Sequence, residues 1–365
     1  MIDFSDCKID PYKTFGGANG MKIGIIYKDK PYMLKIESKP AHKDFYSNGV
    51  LSEYIGCHIM QSLQIPAQNT ILGTYQKNGK VYSAVACEDL TQGGYTLRQF
   101  TDIQNGCIEA SSGSEGKNQL IPMLKAIEEQ TLIEPIKVKE FYWDQFIGDA
   151  LIGNFDRHPG NWGFLLNEKT RQSKVCPVYD CGSALYPQAM EEDMEKILSS
   201  EEEINKSVYV FPQSAMRIGD QKINYFDYIT SFENKDCTAA LLRVAPKVDM
   251  EKINSIIDGI DNLSDLQKKF YKVMLINRKE KIIDFSLKKL YLQEKNQYKT
   301  KEGIAALIIK GVHSKKPLYM IERGIRNRIK GTMAEKEKLL KEGRNLAAEK
   351  DKKVNAAIKT HGRGM

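Results

Sequence analysis

The feature that most constrains this chain is a polar segment, residues 153–163, that lies between two apolar elements. Its sequence is Gly-Asn-Phe-Asp-Arg-His-Pro-Gly-Asn-Trp-Gly. Residues 138–153 are apolar on one face of a predicted helix, and residues 164–166 are typical of an apolar strand. Polar side chains that are concentrated between apolar elements usually form a site. We therefore expect residues 153–163 to form a functional site.

The spacing of oxygen-bearing side chains in and after this segment indicates phosphoryl transfer. Asp156 and Asn161 are five positions apart, and Asp180 follows Asn161 by nineteen positions. In protein kinases the same interval of five separates the Asp that receives the substrate hydroxyl proton from the Asn that holds Mg²⁺. Asp180 and Asn161 would supply the hard oxygen ligands that Mg²⁺ prefers. The alternative is an Asx-rich loop in which these side chains only cap their own backbone.

The sequence around these residues resembles the HipA-like serine/threonine kinases. The order Asp156-Arg157-His158 is the reverse of the His-Arg-Asp found in most protein kinases. Phosphoinositide lipid kinases share this order, so the resemblance rests also on three flanking motifs: Gly153-Asn154, Asn161-Trp162-Gly163-Phe164 and Tyr179-Asp180-x-Gly182. It covers roughly residues 12–290 and is most similar to the short, CtkA-type forms, because the phosphate loop begins by Phe15.

The resemblance implies an α+β, two-lobe protein kinase-like fold with a small sheet-rich N-lobe and a larger helical C-lobe. ATP and Mg²⁺ would lie between the lobes, with Asp156 as the base and Asn161 and Asp180 as the metal ligands. Lys35 would anchor the phosphates and Glu53 would be its ion-pair partner. Lys22 is the competing candidate for the role of Lys35.

Further ATP contacts follow from the same resemblance. A segment with three glycines, Gly16, Gly17 and Gly20, would cover the phosphates with backbone N–H groups, although its spacing is not the usual Gly-x-Gly-x-x-Gly. The Glu88 carbonyl and the Leu90 amide would bind adenine where the two lobes join.

Arg157 and His158 follow Asp156 directly and have different expected roles. His158 is either a catalytic side chain or a structural histidine that braces the metal-binding segment, and the second interpretation is favoured. Arg157 is expected to form an ion pair that supports the scaffold. Neither interpretation changes the assignment of Asp156.

Three regions are predicted along the chain. Residues 1–88 contain two hairpins and one helix and form the N-lobe, and residues 89–310 form the helical C-lobe. Residues 311–365 form a basic tail that is helical or partly disordered. Residues 314–365 contain 15 Lys and Arg against 6 Asp and Glu, and this surplus of nine leaves about −2 for the remaining 313 residues.

Composition excludes several classes of protein. The chain has 41% hydrophobic and 28% charged residues and contains no apolar run of the roughly 20 residues that a spanning helix needs. The N-terminal sequence has no secretory signal pattern, so we expect a cytoplasmic protein, and export to a host cell remains open. Seven scattered cysteines predict reduced thiols rather than disulfides or a zinc site.

The expected reaction is transfer of the γ-phosphoryl group of ATP to a Ser or Thr hydroxyl of a protein substrate. An antitoxin-like regulator is a further partner that the resemblance allows, whereas nucleic acid is expected only through the basic tail and a membrane is not expected. Autophosphorylation near the phosphate loop is expected, with Thr14 as first candidate. The alternatives are a phosphoinositide-type lipid kinase and a non-catalytic ATP-binding protein whose basic tail contacts nucleic acid.

Overall fold

In the computed structural model, described for residues 1–13, 21–37, 48–107 and 118–361, the chain forms two compact units, Met1–Ser286 and Leu287–Met365. The predicted phosphate-loop residues Thr14, Gly16, Gly17 and Gly20 lie outside the described residues. The first unit begins with a mixed sheet and continues as helices, as the predicted α+β fold requires. Within the described ranges, no helix is long and apolar enough to cross a membrane.

The first part of unit one is a curled sheet with one helix. Among the described residues the sheet has six strands in the order β1-β5-β6-β4-β3-β2. Its elements are β1 (Ile2–Asp3), β2 (Lys8–Asp10), β3 (Met21–Tyr27), β4 (Lys30–Ile36), α1 (Gly49–Ser62), β5 (Thr70–Lys77) and β6 (Lys80–Glu88).

Tight turns and the period-two pattern of β4 set the register of this sheet. Lys28, Asp29, Asn78 and Gly79 all have positive φ, as the two central residues of a type I′ hairpin turn require. Along β4, Leu34 is buried on the sheet face that packs around Phe4. Because alternate side chains of a strand point to opposite faces, Lys35 lies on the other face, where Val85 packs near α1.

The rest of unit one is mainly helical. Its strands are β7 (Thr96–Gln99), β8 (Gly163–Asn167), β9 (Gln172–Val175), β10 (Arg217–Ile218) and β11 (Gln221–Lys222). Its helices are α2 (Phe100–Cys107), α3 (Leu120–Glu129), α4 (Pro135–Ile152), α5 (Glu191–Leu198), α6 (Glu201–Tyr209), α7 (Tyr225–Ser231), α8 (Lys235–Val244), α9 (Met250–Asp258) and α10 (Asp265–Arg278). The strands β7-β8-β9 form a small antiparallel sheet beside the polar segment.

Helical periodicity over residues 263–291 predicts one long helix, and the structure interrupts it. A π-helical stretch, Lys279–Asp284, separates α10 from α11 (Phe285–Gln297). Arg278 is 1% exposed at this point and donates from Nε to the carbonyl oxygen of Ala150 at 2.8 Å. π-bulges of this kind occur within otherwise regular helices, and periodicity alone does not detect them.

The second unit has a hydrophobic core of its own. Its helices are α12 (Lys301–His313), α13 (Leu318–Arg328), α14 (Met333–Lys350) and α15 (Lys352–His361). The core includes Ile304, Ile325, Leu340 and Ala347. A Cβ placed on Gly343 would lie 2.4 Å from Ile304, so α12 and α14 pack closely through small residues.

This unit begins before the predicted tail and is folded throughout its described length. The compact units divide after Ser286, whereas the sequence predicts a tail from residue 311. The apolar stripe of α14 is made partly of Gly343 and Ala347, and such small side chains hide it in the sequence. Residues 287–365 carry 13 more Lys and Arg than Asp and Glu, so unit one has a net charge of −6 within a total of +7.

Candidate active site

The predicted lysine and glutamate meet in unit one. Nζ of Lys35, on β4, lies 2.7 Å from Oε2 of Glu53. Glu53 is a fully buried residue of α1. The same Nζ lies 2.9 Å from Oδ1 of Asp180. One ammonium group therefore binds two carboxylates, one from the sheet-rich part of the unit and one from the helical part.

The charges of this triad reinforce one another. Burial by itself lowers the pKa of Lys35, but the charges of Asp180 and Glu53 outweigh it and raise the pKa well above its usual value. The Lys35 charge in turn lowers the pKa of Asp180 to about 2, against the opposing effect of burial. Both groups are therefore ionised at neutral pH, as phosphate binding and metal binding require.

The polar segment, residues 153–163, which we call the catalytic loop, starts where α4 ends. Gly153 caps the helix with φ of 65°, a left-handed conformation that glycine adopts without strain. Asn154 is fully buried and donates from Nδ2 to Oδ1 of Asp149 on α4 at 3.1 Å, and its own Oδ1 accepts from the Asp156 amide at 3.1 Å. Asn154 thus orients the backbone that presents Asp156.

Arg157 ties the catalytic loop to the segment of Asp180. Its guanidinium is 4% exposed and pairs through Nε with Oδ2 of Asp149 at 3.1 Å. It also donates to the carbonyl oxygens of Asn161, at 3.0 Å, and of Tyr179. Burial opposes the charge, but Asp149 raises the pKa of Arg157 well above its usual value. The predicted scaffold ion pair is present, with Asp149 as the partner.

Asp156 is presented to solvent while its backbone is fixed. Its side chain is 46% exposed, and its carbonyl oxygen accepts from Asn161 Nδ2 at 2.8 Å. That bond fixes the orientation of the Asn161 amide group. Burial and then the Asp180 charge raise the pKa of Asp156, while the His158 charge lowers it.

His158 fits the bracing role better than direct catalysis. Its Nδ1 accepts from the Gly160 amide at 3.0 Å, so the proton of a neutral ring lies on Nε2. Nε2 is 3.9 Å from Oδ1 of Asp156, beyond hydrogen-bond range. The ring therefore caps the short helical turn at Pro159–Asn161 and faces Asp156 from the side.

Asp180 is held in an uncommon backbone conformation. The chain just before it forms only an isolated bridge, between Val178 and Ala67, and β9 ends at Val175. Asp180 has φ of 56°, which is rare for a residue other than glycine and concentrates at functional sites. This turn aims the carboxylate at Lys35 instead of continuing the strand.

The predicted adenine-contacting segment follows β6 directly. The Glu88 carbonyl accepts from Gln68 Nε2 at 2.8 Å and retains a second lone pair. Its side chain accepts from Asn69 Nδ2 at 2.7 Å, so it braces the segment. Lys13 pairs with Asp89 and donates to Thr91 at 2.9 Å. Lys13 is thereby tied to the residues that follow β6.

The donor set fits a magnesium ion that is shared with phosphate oxygens. Asp180 offers a carboxylate and Asn161 an amide oxygen, and Mg²⁺ in kinases is held by one or two such groups plus phosphates and water. The described residues contain no cluster of three or more His, Cys, Asp or Glu side chains that could enclose a metal by themselves. Lys22 on β3 is directly opposite Lys35 in the sheet register, and its charge further lowers the pKa of Asp180.

Comparison with known proteins identifies the family. No family model matches the chain. A serine/threonine-protein kinase, CtkA of Helicobacter pylori, is 48% identical over 286 residues, which are 78% of this chain and 86% of that protein. The chain belongs to the CtkA family of serine/threonine protein kinases. The resemblance to short CtkA-type forms is confirmed.

Solved structures agree with this assignment. The crystal structure of the Helicobacter pylori proinflammatory kinase CtkA matches with a TM-score of 0.75 at 46% identity, covering 80% of this chain and 98% of that one. A complex of HipA, HipB and operator DNA from Shewanella oneidensis has a TM-score of 0.48 at 16% identity, covering 78% and 70%. The α+β kinase fold is confirmed by the first match, and the second carries no conclusion.

Sequence reasoning missed several residues that shape the kinase site. Asp149 lies on the buried side of α4, and its only signal is a carboxylate within an apolar helix, eight positions before Arg157. Gln68 supports the junction through a contact between strands, which no local pattern marks. Cys181 accepts from Arg157 at 3.4 Å and packs against Gly56 of α1.

Gly182→Ala should weaken the use of ATP by this kinase. A Cβ on Gly182 would lie 3.3 Å from Oε2 of Glu53, the atom that pairs with Lys35. Glu53 is fully buried and cannot move away freely, so the triad should shift. We expect kcat/KM for ATP to fall by about tenfold, measured as initial rates on a generic protein substrate. Gly106→Ala is the control, because a Cβ there meets nothing within 4 Å. Equal rates for both variants would contradict the expectation.

Proposed function

We propose that this kinase transfers the γ-phosphoryl group of ATP to a Ser or Thr hydroxyl of a protein substrate, with Asp156 as the general base. The observation that carries the proposal is the convergence of Lys35, Glu53 and Asp180 beside the catalytic loop. These three residues are far apart in the sequence, and no scaffold role explains a lysine between two carboxylates as simply as phosphate binding does.

Each residue has a step to perform. Lys35 holds the phosphates with the charge that Glu53 and Asp180 maintain on it. Asp156 accepts the hydroxyl proton from its solvent-accessible position. Asp180 and Asn161 would hold Mg²⁺, which supplies neutralisation of the charge on the phosphate oxygens when bound. The Glu88 carbonyl and the Leu90 amide would bind adenine, and Gly16, Gly17 and Gly20 would cover the phosphates.

The proposal also includes partners other than the protein substrate. An antitoxin-like regulator and contact of nucleic acid with the basic C-terminal unit are hypotheses that rest on resemblance and on charge. No contact in the described residues favours a lipid substrate over a protein substrate, and the 48% identical relative is named as a protein kinase. The protein kinase assignment is therefore preferred to a lipid kinase.

Asp156→Asn and Asp180→Ala should fail in different ways. Asn keeps the shape of Asp156 but cannot accept a proton, so transfer should be lost by at least about 10²-fold while Mg-ATP binding is retained. Asp180→Ala should also lose the metal-dependent part of nucleotide binding. Calorimetry with and without EDTA, beside an assay with labelled ATP, measures both. Wild-type transfer by both variants would place the site elsewhere.

The pH profile of kcat/KM for the protein substrate should report the ionisation of Asp156. Burial raises the pKa of Asp156, and the base must be ionised, so activity should fall with unit slope as the pH drops through a value above that of an ordinary Asp. Because the His158 charge lowers this pKa, His158→Gln should move the acid limb to higher pH. A loss of activity at every pH, with an unmoved limb, would instead assign His158 to the catalytic step.

Autophosphorylation near the phosphate loop is a further part of the proposal, with Thr14 as the first candidate. A phosphate there adds up to two negative charges where ATP phosphates must bind, so it should inhibit the kinase. Mass spectrometry after incubation with Mg-ATP should find phosphate between residues 13 and 22, and Asp156→Asn should show none. Absence of phosphate from this segment in the active enzyme would contradict the switch.

A further inference from the structure

An exposed apolar patch borders the catalytic loop. It consists of Val210 and Phe211, which follow α6 and are 62% and 47% exposed. The Phe211 ring contacts the ring of Phe155 with centroids 5.4 Å apart, and Phe155 directly precedes Asp156 in the chain. The Val210–Phe211 patch is therefore within a few ångströms of the residues that present the catalytic carboxylate.

The patch is fixed in place by its neighbours. A Cβ on Gly153 would lie 2.8 Å from Cγ of Pro212, so the residue after Phe211 packs directly on the first residue of the catalytic loop. The carbonyl oxygen of Tyr209 accepts from Asn224 Nδ2 at 2.6 Å. These contacts hold both exposed apolar side chains in place beside the catalytic loop.

A lysine lies on a hairpin that is bonded to the chain that follows the patch. Lys222 is exposed at the end of β11, on the hairpin that pairs Arg217 with Lys222. Backbone bonds from Ser214 to Ile223, at 2.9 Å, and from Ile223 to Met216, at 2.9 Å, attach this hairpin to the chain that follows the patch. Asn224, two residues after Lys222, donates to the Tyr209 carbonyl just before the patch, so the end of β11 is joined to the chain that carries Val210 and Phe211. The Lys222 charge contributes to lowering the pKa of Asp156, after the larger effects of burial and of closer charges.

Lys222 has charge to offer to a partner. Its side chain is exposed, so the ammonium can contact a bound molecule. The nearby Arg217 donates to the carbonyl oxygen of Asp220 at 2.6 Å and so serves its own turn. An exposed cation near a catalytic base favours an acidic group on the molecule that is brought to that base.

A protein substrate must place its hydroxyl on Asp156, and a segment that continues from there toward Phe155 passes over Phe211. An extended segment advances about 3.3 Å per residue, and residues within a few positions of the acceptor therefore reach both features. Binding in an extended form uses alternate side chains for recognition.

We propose that the Val210–Phe211 patch and Lys222 form the docking surface for the substrate segment around the phosphorylated Ser or Thr. The patch receives a large aliphatic or aromatic side chain, and Lys222 receives an aspartate or glutamate. The proposal rests on the proposed function, because it takes Asp156 as the base. It adds the class of substrate sequence that the kinase selects.

A positional-scanning library of peptides with a central Ser tests the proposal with the full-length kinase and Mg-ATP. The wild type should select a large apolar residue at one position and an acidic residue at another. Phe211→Ser should reduce the apolar selection by about tenfold in kcat/KM, whereas Phe211→Leu should retain it. Lys222→Glu should replace the acidic selection with a basic one, and Lys222→Arg should keep it.

Matched controls lie on α8. Leu242→Ser and Lys235→Glu change an exposed apolar residue and an exposed lysine of the same unit, and both should leave the selection unchanged. Absence of selection in the wild type, absence of peptide phosphorylation, or unchanged selection in Phe211→Ser and Lys222→Glu would overturn the docking surface. The proposed function fails separately, through an active Asp156→Asn variant.

Discussion

The buried guanidinium of Arg157 is the interaction on which the geometry of the catalytic loop depends. It joins α4 through Asp149, the catalytic loop through the Asn161 carbonyl, and the segment of Asp180 through the Tyr179 carbonyl. Burying such a charge costs several kcal/mol unless every donor is satisfied, and removing one partner of a buried pair costs about 3–5 kcal/mol. Asp156, the proposed base, and Asp180, a proposed metal ligand, are therefore positioned by the same side chain, so a change at Arg157 would disturb both.

A second set of charges links the sheet to this loop. Lys35 and Asp180 are 145 positions apart, yet their charged atoms lie 2.9 Å apart. Glu53 holds the same ammonium from α1, on the face of the sheet opposite the Phe4 core. The triad requires β4, α1 and the Asp180 turn to be in place together, and this dependence makes the site a sensitive measure of whether the unit is correctly assembled.

The second compact unit, residues 287–365, differs from the kinase unit in charge and has its own core. The match to Helicobacter pylori CtkA covers 78% of this chain, so about a fifth lies outside it. Residues 287–365 have a core of their own and a surplus of 13 positive charges, while the kinase unit is net negative. A small helical unit of this composition gains its stability from close packing of small residues such as Gly343 and Ala347.

Turns, helices and short motifs of this protein can be predicted from neighbouring residues of its sequence. The interval from Asp156 to Asn161, the Asn78-Gly79 turn and the buried stripe of α1 could all be predicted, because turn chemistry and helical or strand periodicity act over a few residues. The catalytic role proposed for Asp156 rests on a motif that needs only neighbouring residues to be recognised.

Contacts between side chains that are far apart in the sequence are seen only in the tertiary structure. The choice of Asp149 as partner of Arg157, the left-handed turn at Asp180 and the contact of Phe211 with Phe155 have no local signal. The π-helical stretch after Arg278 and the core of the second unit were hidden for the same reason. These features depend on how buried charges and side-chain volumes are satisfied across elements, and that balance exists only once the elements pack together.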